Sequence, residues 1–158
     1  AMPAARADPD AISFNAAISA CEKGGQWQLA LALLAATPDL SITPDVITCS
    51  AAISACEKAG QWQFALTLLT AMAPLNVRPN VVSCSAAISA CEKGGRWRHA
   101  LAVLDDMVEL GIAPDVVVCS AAISACEKGN DSGRALALLH EMRSRDLQPR
   151  VITYSAAI

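Results

Sequence analysis

Asn15, Ser19 and Lys23 stand four residues apart, and the same arrangement returns as Ser50-Ser54-Lys58, Ser85-Ser89-Lys93 and Ser120-Ser124-Lys128. Spacing of four sets the members of each trio in one row along a helix. Each row offers amide or hydroxyl groups that hydrogen bond, followed by one cation, a set that suits a periodic ligand carrying negative charge. On periodicity alone, the simpler account is the polar face that a surface helix turns to water. Glu22, Glu57, Glu92 and Glu127 precede the four lysines and repeat as faithfully as the helices do. Active sites break the symmetry of a repeat, and these carboxylates do not. With no phosphate-cradling glycine loop and no nucleophile–base pattern, the expectation is a segment that is not an enzyme. A catalytic domain elsewhere in a longer parent chain stays compatible with that.

The seven cysteines also follow the repeat. Cys21, Cys56, Cys91 and Cys126 fill one slot, and Cys49, Cys84 and Cys119 another. An odd count without CxxC pairs argues against a zinc ribbon, a redox motif or a disulfide framework. Small, weakly polar residues on a helix face read as buried free thiols, as a reducing compartment allows. His99 and His140 lie in different slots with no shared ligand set. Neither a metal nor any other cofactor is expected. Twelve Lys and Arg against fifteen Asp and Glu give a net charge of −3, which excludes a generally basic nucleic-acid protein. Any RNA or DNA site must then be a local stripe.

The elements that position these residues follow from the restart of the sequence at Ala11, Val46, Val81, Val116 and Val151, every 35 residues without slippage. In the second copy Cys49, Ala52, Ile53 and Cys56 form one apolar helical stripe. Ala59-Gly60 interrupts it, and Trp62, Ala65, Leu66 and Leu69 form a second stripe, with Met72 near its end. Pro44, Pro79, Pro114 and Pro149 close successive copies, because proline cannot continue a helix. A helical hairpin of this size cannot bury both faces alone, so neighbours must stack. The fold class is all-α, an α-solenoid of helix-turn-helix repeats expected to wind as a right-handed superhelix.

Residues 11–45, 46–80, 81–115 and 116–150 are four repeats, 1–10 the tail of an earlier second helix, and 151–158 the start of a further repeat. Both ends fall inside a repeat without a polar cap, which reads as an excerpt from a longer array. The uncharged stretch Ala59 to Val77 is no membrane span, since its slots carry Arg96, Arg98, Asp105 and Asp106 one repeat later. A soluble chain without a targeting segment in this fragment is expected.

The lines VITCSAAISACEKAGQWQFALTLLTAM…VRPN and VVVCSAAISACEKGNDSGRALALLHEM…LQPR resemble the pentatricopeptide repeat (PPR) family. They share its aliphatic pair, Asn/Ser/Thr slot, apolar first helix, Gly turn, Ala-Leu-x-Leu and terminal Pro-Asp. The resemblance covers essentially the whole chain. Cys49, Cys84 and Cys119 depart from it where an aromatic is more usual; Phe14 and Tyr154 keep it.

The resemblance implies single-stranded RNA as the partner, with about one base per repeat. It also implies that the fifth and last residues of a repeat read a base, clamped between the second residues of successive repeats. The pairs would be Asn15 with Asp45 between Ile12 and Ile47, and Ser50 with Asn80 between Ile47 and Val82. Then come Ser85 with Asp115 between Val82 and Val117, and Ser120 with Arg150 between Val117 and Ile152. Lys23, Lys58, Lys93 and Lys128 would meet phosphates. Ionised Asp accepts only, which suits uracil or guanine, and the Asn80 amide can donate to a ring nitrogen of adenine. Small Ser leaves room for a purine, and larger Asn15 favours a pyrimidine. The expected site is 5′-U-A-G-n-3′, unassigned where Arg150 departs from the pattern. The resemblance implies organellar RNA processing, stability or translation, in chloroplast or mitochondrion. Asp45, Asn80 and Asp115 have a structural reading too, as helix N-caps.

Trp27, Trp62 and Trp97 share a face with the Ala-Leu stripe and read as core rather than as base-stacking platforms; Ser132 takes their slot in the fourth repeat and implies looser packing. Arg96, Arg98 and His99 read as a solvated outer face, where protein partners are the alternative. The competing function is a protein-binding scaffold of tetratricopeptide-like type. Neither reading involves a membrane or a small-molecule substrate.

Overall fold

The computed structural model describes residues 8–144. They form α1 (Asp8–Gly24), α2 (Trp27–Ala35), α3 (Val46–Lys58), α4 (Trp62–Ala71), α5 (Val81–Lys93), α6 (Trp97–Glu109), α7 (Val116–Lys128) and α8 (Ser132–Ser144), with no strand among the described residues. The fold is an all-α helical-hairpin solenoid. The chain divides into two compact units, Ala1–Pro79 and Asn80–Ile158. In the first, α1 packs against α2 and α3, and α3 against α2 and α4; in the second, α5 packs against α6 and α7, and α7 against α6 and α8. The first helices of neighbouring repeats therefore lie side by side within each unit.

Local sequence sets the hairpin. After each first helix the chain passes through a left-handed residue, Gly25, Gly60, Gly95 or Asn130, with φ between 60° and 71°. The next amide then donates back to a cysteine carbonyl in the last turn, as Gln61 N–H does to Cys56 O at 2.8 Å. This closure needs positive φ, which glycine adopts freely and asparagine tolerates. Asn130 is a turn residue that the glycine pattern did not reveal. In the first repeat the described helix already includes Asp8, Pro9 and Asp10, ahead of the restart at Ala11.

The interior matches the apolar stripes. Ile18, Ile53, Ile88 and Ile123 share one slot and are fully buried, as are Met72, Met107 and Met142 at the ends of second helices. The first repeat has Thr37 in the methionine slot; its buried hydroxyl donates to Leu34 O at 2.8 Å, satisfying the polar group. All seven cysteines are free and buried. Burial pushes the thiols of Cys56, Cys91 and Cys126 up to about 11, as burial and the Asp45 carboxylate do for Cys49. They are packing residues held protonated and unreactive.

Candidate functional site

Asp45, Asn80 and Asp115 each stand in extended conformation immediately before a first helix. Asp45 Oδ1 accepts from Thr48 N–H at 2.9 Å, Asn80 Oδ1 from Ser83 N–H at 3.0 Å, and Asp115 Oδ1 from Val118 N–H at 2.8 Å. All three are N-caps, satisfying a donor that the helix cannot. Capping occupies one oxygen of each side chain and leaves further lone pairs on the carboxylates. In Asn80 it also orients the amide, since engagement of Oδ1 leaves the NH2 as the donor end. Asp45 is depressed below the usual carboxylate range: burial raises it, and hydrogen bonds from the Thr48 backbone and hydroxyl and the Ile47 backbone outweigh that.

Two residues beyond each cap, large aliphatic side chains face solvent. Ile47 is 62% exposed, Val82 53% and Val117 45%, and Ile12 in the same slot 68%. Large aliphatic residues elsewhere on the first helices are buried or half-buried, so a repeating exposed slot is an exception to the burial pattern.

The polar row lies deeper than a simple solvated face would. Asn15, Ser85 and Ser120 are half-buried, and so are Ser19, Ser54, Ser89 and Ser124. Ser50 is only 6% exposed, and its hydroxyl has no hydrogen-bond partner. The row follows the seam where first helices meet, and contacts between α1 and α3 or between α5 and α7 draw on its polar groups. Thr48 Oγ1 bonds to Asn15 Oδ1 and lies 2.8 Å from Asp45 Oδ1. Asn15 and Asp45, brought together in the first unit, are thus joined through a residue the sequence reading did not single out. A hydroxyl three residues after an N-cap was the available signal.

The lysines are exposed, and Lys58 and Lys128 meet carboxylates. Lys58 Nζ lies 3.2 Å from Glu22 Oε1, and Lys128 Nζ 2.9 Å from Glu92 Oε1, which also accepts from Ser124 Oγ at 2.7 Å. A phosphate at Lys58 or Lys128 competes with a carboxylate already in place. In sequence these partners are a glutamate and a lysine 36 residues later, a relation visible only once first helices stack. Arg150 and Ile152 lie outside the described residues, as do Val151 and Tyr154.

On the second helices, Trp27 packs on Phe64 with ring centroids 5.1 Å apart, and Arg98 sits 4.8 Å over the Trp97 ring. Trp27, Trp62 and Trp97 are half-buried, as core-edge residues are. A cavity of about 580 Å³ opens among α6, α7 and α8, lined by Leu104, Val108, Pro114, Leu138 and Met142, with Asp105 and Arg134 at its rim. Among the described residues no three His, Cys, Asp or Glu side chains converge as a metal site, and no helix is long and apolar enough to cross a membrane.

Paired α-helices closed by left-handed turns, with capped first helices presenting an exposed aliphatic row, define a helical-repeat protein. Its family follows from sequence: the pentatricopeptide repeat domain profile matches residues 32–94 and 102–158, and the PPR repeat profile residues 12–35 and 82–112. The chain belongs to the pentatricopeptide repeat family. No curated protein matches it in sequence. Among solved structures it is similar to PPR10 in complex with an 18-nt psaJ RNA element, at 27% identity and TM-score 0.77 over 91% of this chain. It spans 21% of that protein's length. The PPR domain of Arabidopsis thaliana protein-only RNase P 1 in complex with tRNA is similar in fold. It is 14% identical, with TM-score 0.79 over 90% of this chain and 75% of that one.

Proposed function

We propose that this chain is a non-catalytic segment of a protein that binds single-stranded RNA by sequence, one base per repeat. The observation that carries the reading is the exposed row Ile12, Ile47, Val82 and Val117, each later member two residues from a cap with hydrogen-bonding capacity to spare. Apolar side chains held in water beside polar ones suit the flat face and polar edge of a base. The bound state of PPR10 supports RNA as the ligand class.

In this reading Asn15 with Asp45 takes uracil, Ser50 with Asn80 adenine, and Ser85 with Asp115 guanine. Both carboxylates accept from an imino N–H, and the oriented NH2 of Asn80 donates to a ring nitrogen of adenine. The second pair draws one residue from each unit and rests on the sequence period. Ser120 belongs to a fourth, unassigned position. The four repeat boundaries at 11–45, 46–80, 81–115 and 116–150 delimit the base-reading modules. An organellar transcript, in plastid or mitochondrion, is the target class, and the role is processing, stability or translation without chemistry of its own.

Four phosphate contacts would give log K a slope near −3 against log salt, at about −0.7 per contact on a single strand. Lys58 and Lys128 are partly neutralised by Glu22 and Glu92, so the expected slope is shallower, about −1.5 to −2.5. Competition binding of the chain to longer RNAs differing only at UAG tests the reading. Preference for UAG over scrambled sites is expected, and equal affinity removes it. The same ion pairs and the net charge of −3 favour one alternative, a protein-binding scaffold. Peptide capture with no salt-dependent RNA binding would establish that instead.

A further inference from the structure

Thr48 is 2% exposed, and its hydroxyl stands between the two side chains assigned above to the first base. It accepts from Asp45 N–H at 3.4 Å, lies 2.8 Å from Asp45 Oδ1, and bonds across the α1–α3 seam to Asn15 Oδ1. We propose that Thr48 is a positioning residue that makes Asn15 and Asp45 one donor–acceptor pair and thereby sets the preference of the first repeat for uracil over cytosine. The proposal rests on the RNA reading and sharpens it.

A carboxamide has an acceptor end and a donor end, and rotation by half a turn exchanges them. Asn15 alone could present either end to a base and would not by itself discriminate between pyrimidine edges. Thr48 carries one hydroxyl proton, for which Asp45 Oδ1 and Asn15 Oδ1 compete, and giving it to Asn15 holds the Oδ1 end on the protein side. The NH2 is then the end left for a ligand. Asp45 beside it accepts only. A donor next to an acceptor matches the O4 and N3–H of uracil, whereas the N4–H2 and bare N3 of cytosine place donor against donor and acceptor against acceptor. The hydroxyl has two acceptor neighbours for its single proton. An N3–H donated to Asp45 lessens the demand of the carboxylate and leaves that proton to Asn15, so filling one half of the pair fixes the other.

The other caps show that this is particular to Thr48. Ser83, in the same slot, donates to Asn80 O at 2.9 Å, within its own helix terminus. In the fourth repeat the slot of Thr48 is Val118, fully buried and without a hydroxyl, so Asp115 is held by its backbone bond.

The test uses the full chain and RNAs differing only by U or C at the first position. Thr48→Val keeps the shape and removes the hydroxyl; Thr48→Ser keeps the hydroxyl. The ratio of the two affinities is expected to fall roughly fivefold to tenfold in Thr48→Val, the worth of about one hydrogen bond, and to return in Thr48→Ser. Preference at the position of Ser85 and Asp115, in the other unit, is the internal reference and stays unchanged, which separates positioning from general loss of structure. An undiminished ratio in a folded Thr48→Val overturns the role of Thr48 while the RNA reading stands. A wild-type chain that does not distinguish U from C removes both, and that failure shows before any variant is made.

Discussion

In the N-terminal unit the first helices are tied at their leading ends, where Thr48 meets Asn15 and Asp45, and again at their trailing ends, where Lys58 meets Glu22. In the C-terminal unit the leading end has Val118, and the trailing end has Glu92 holding Ser124 and Lys128 together. Outer helices diverge as well. Trp27 stacks on Phe64, but Arg134 fills the slot of Phe64 one unit later, and Trp97 lies against Gly129 where the N-terminal unit has Ala59. The buried isoleucine and methionine slots thus recur in both units while the polar and aromatic partners differ.

The largest expected effect tests the outer difference. A Cβ on Gly129 would fall 2.2 Å from Trp97 Cδ1, so Gly129→Ala forces the indole out and should cost about 1–3 kcal/mol of stability. Thermal unfolding measures it. If the indole is the cause, Trp97→Ala beside it leaves little further cost, and additive losses would refute that cause.

The caps come next. Asp45→Ala should cost about 1 kcal/mol or somewhat more, and Asp115→Ala less, because Asp45 also engages a hydroxyl. Equal losses in denaturant titration would mean that the Thr48 bond adds nothing. Asp45 also confers a pH dependence. Its folded pKa lies below the unfolded value, so its stabilisation is full above about pH 4 and fades as the pH falls through the folded pKa. Asp45→Asn retains a cap of similar quality and should flatten this acid limb; an unaltered limb would assign the dependence to other groups.

The smallest effect concerns the lysines. Glu22→Gln and Glu92→Gln each unmask one cation and should strengthen RNA binding about twofold to fivefold at low salt, the range of an exposed ion pair. Glu92 should show the lesser gain, because its carboxylate also holds Ser124 and a glutamine there can still accept from it. Filter binding at two salt concentrations reads both.

The hairpins, their turns and the buried slots were legible because each depends on neighbours close in sequence. A stripe at i, i+3, i+4 and i+7 buries one helix face, and Gly60 closes a turn by its own φ. Asn130 escaped because asparagine reaches the same region less visibly. The capping role of Asp45, Asn80 and Asp115 was readable as one of two meanings, and the structure establishes that one. Thr48, by contrast, was not among the residues singled out, and the glutamates read as repeat architecture. Their partners stand 33 to 36 residues away in Asn15, Lys58 and Lys128.

The amino-acid order alone determined the period, the helical hairpin and which positions lose water, since periodicity and backbone preference act within a dozen residues. Tertiary packing decided which polar atoms find one another. Hydrogen bonds and ion pairs fall away within an ångström or so of their best length, and only the seating of one first helix on the next sets that length. This is why one threonine hydroxyl reaches a neighbouring repeat.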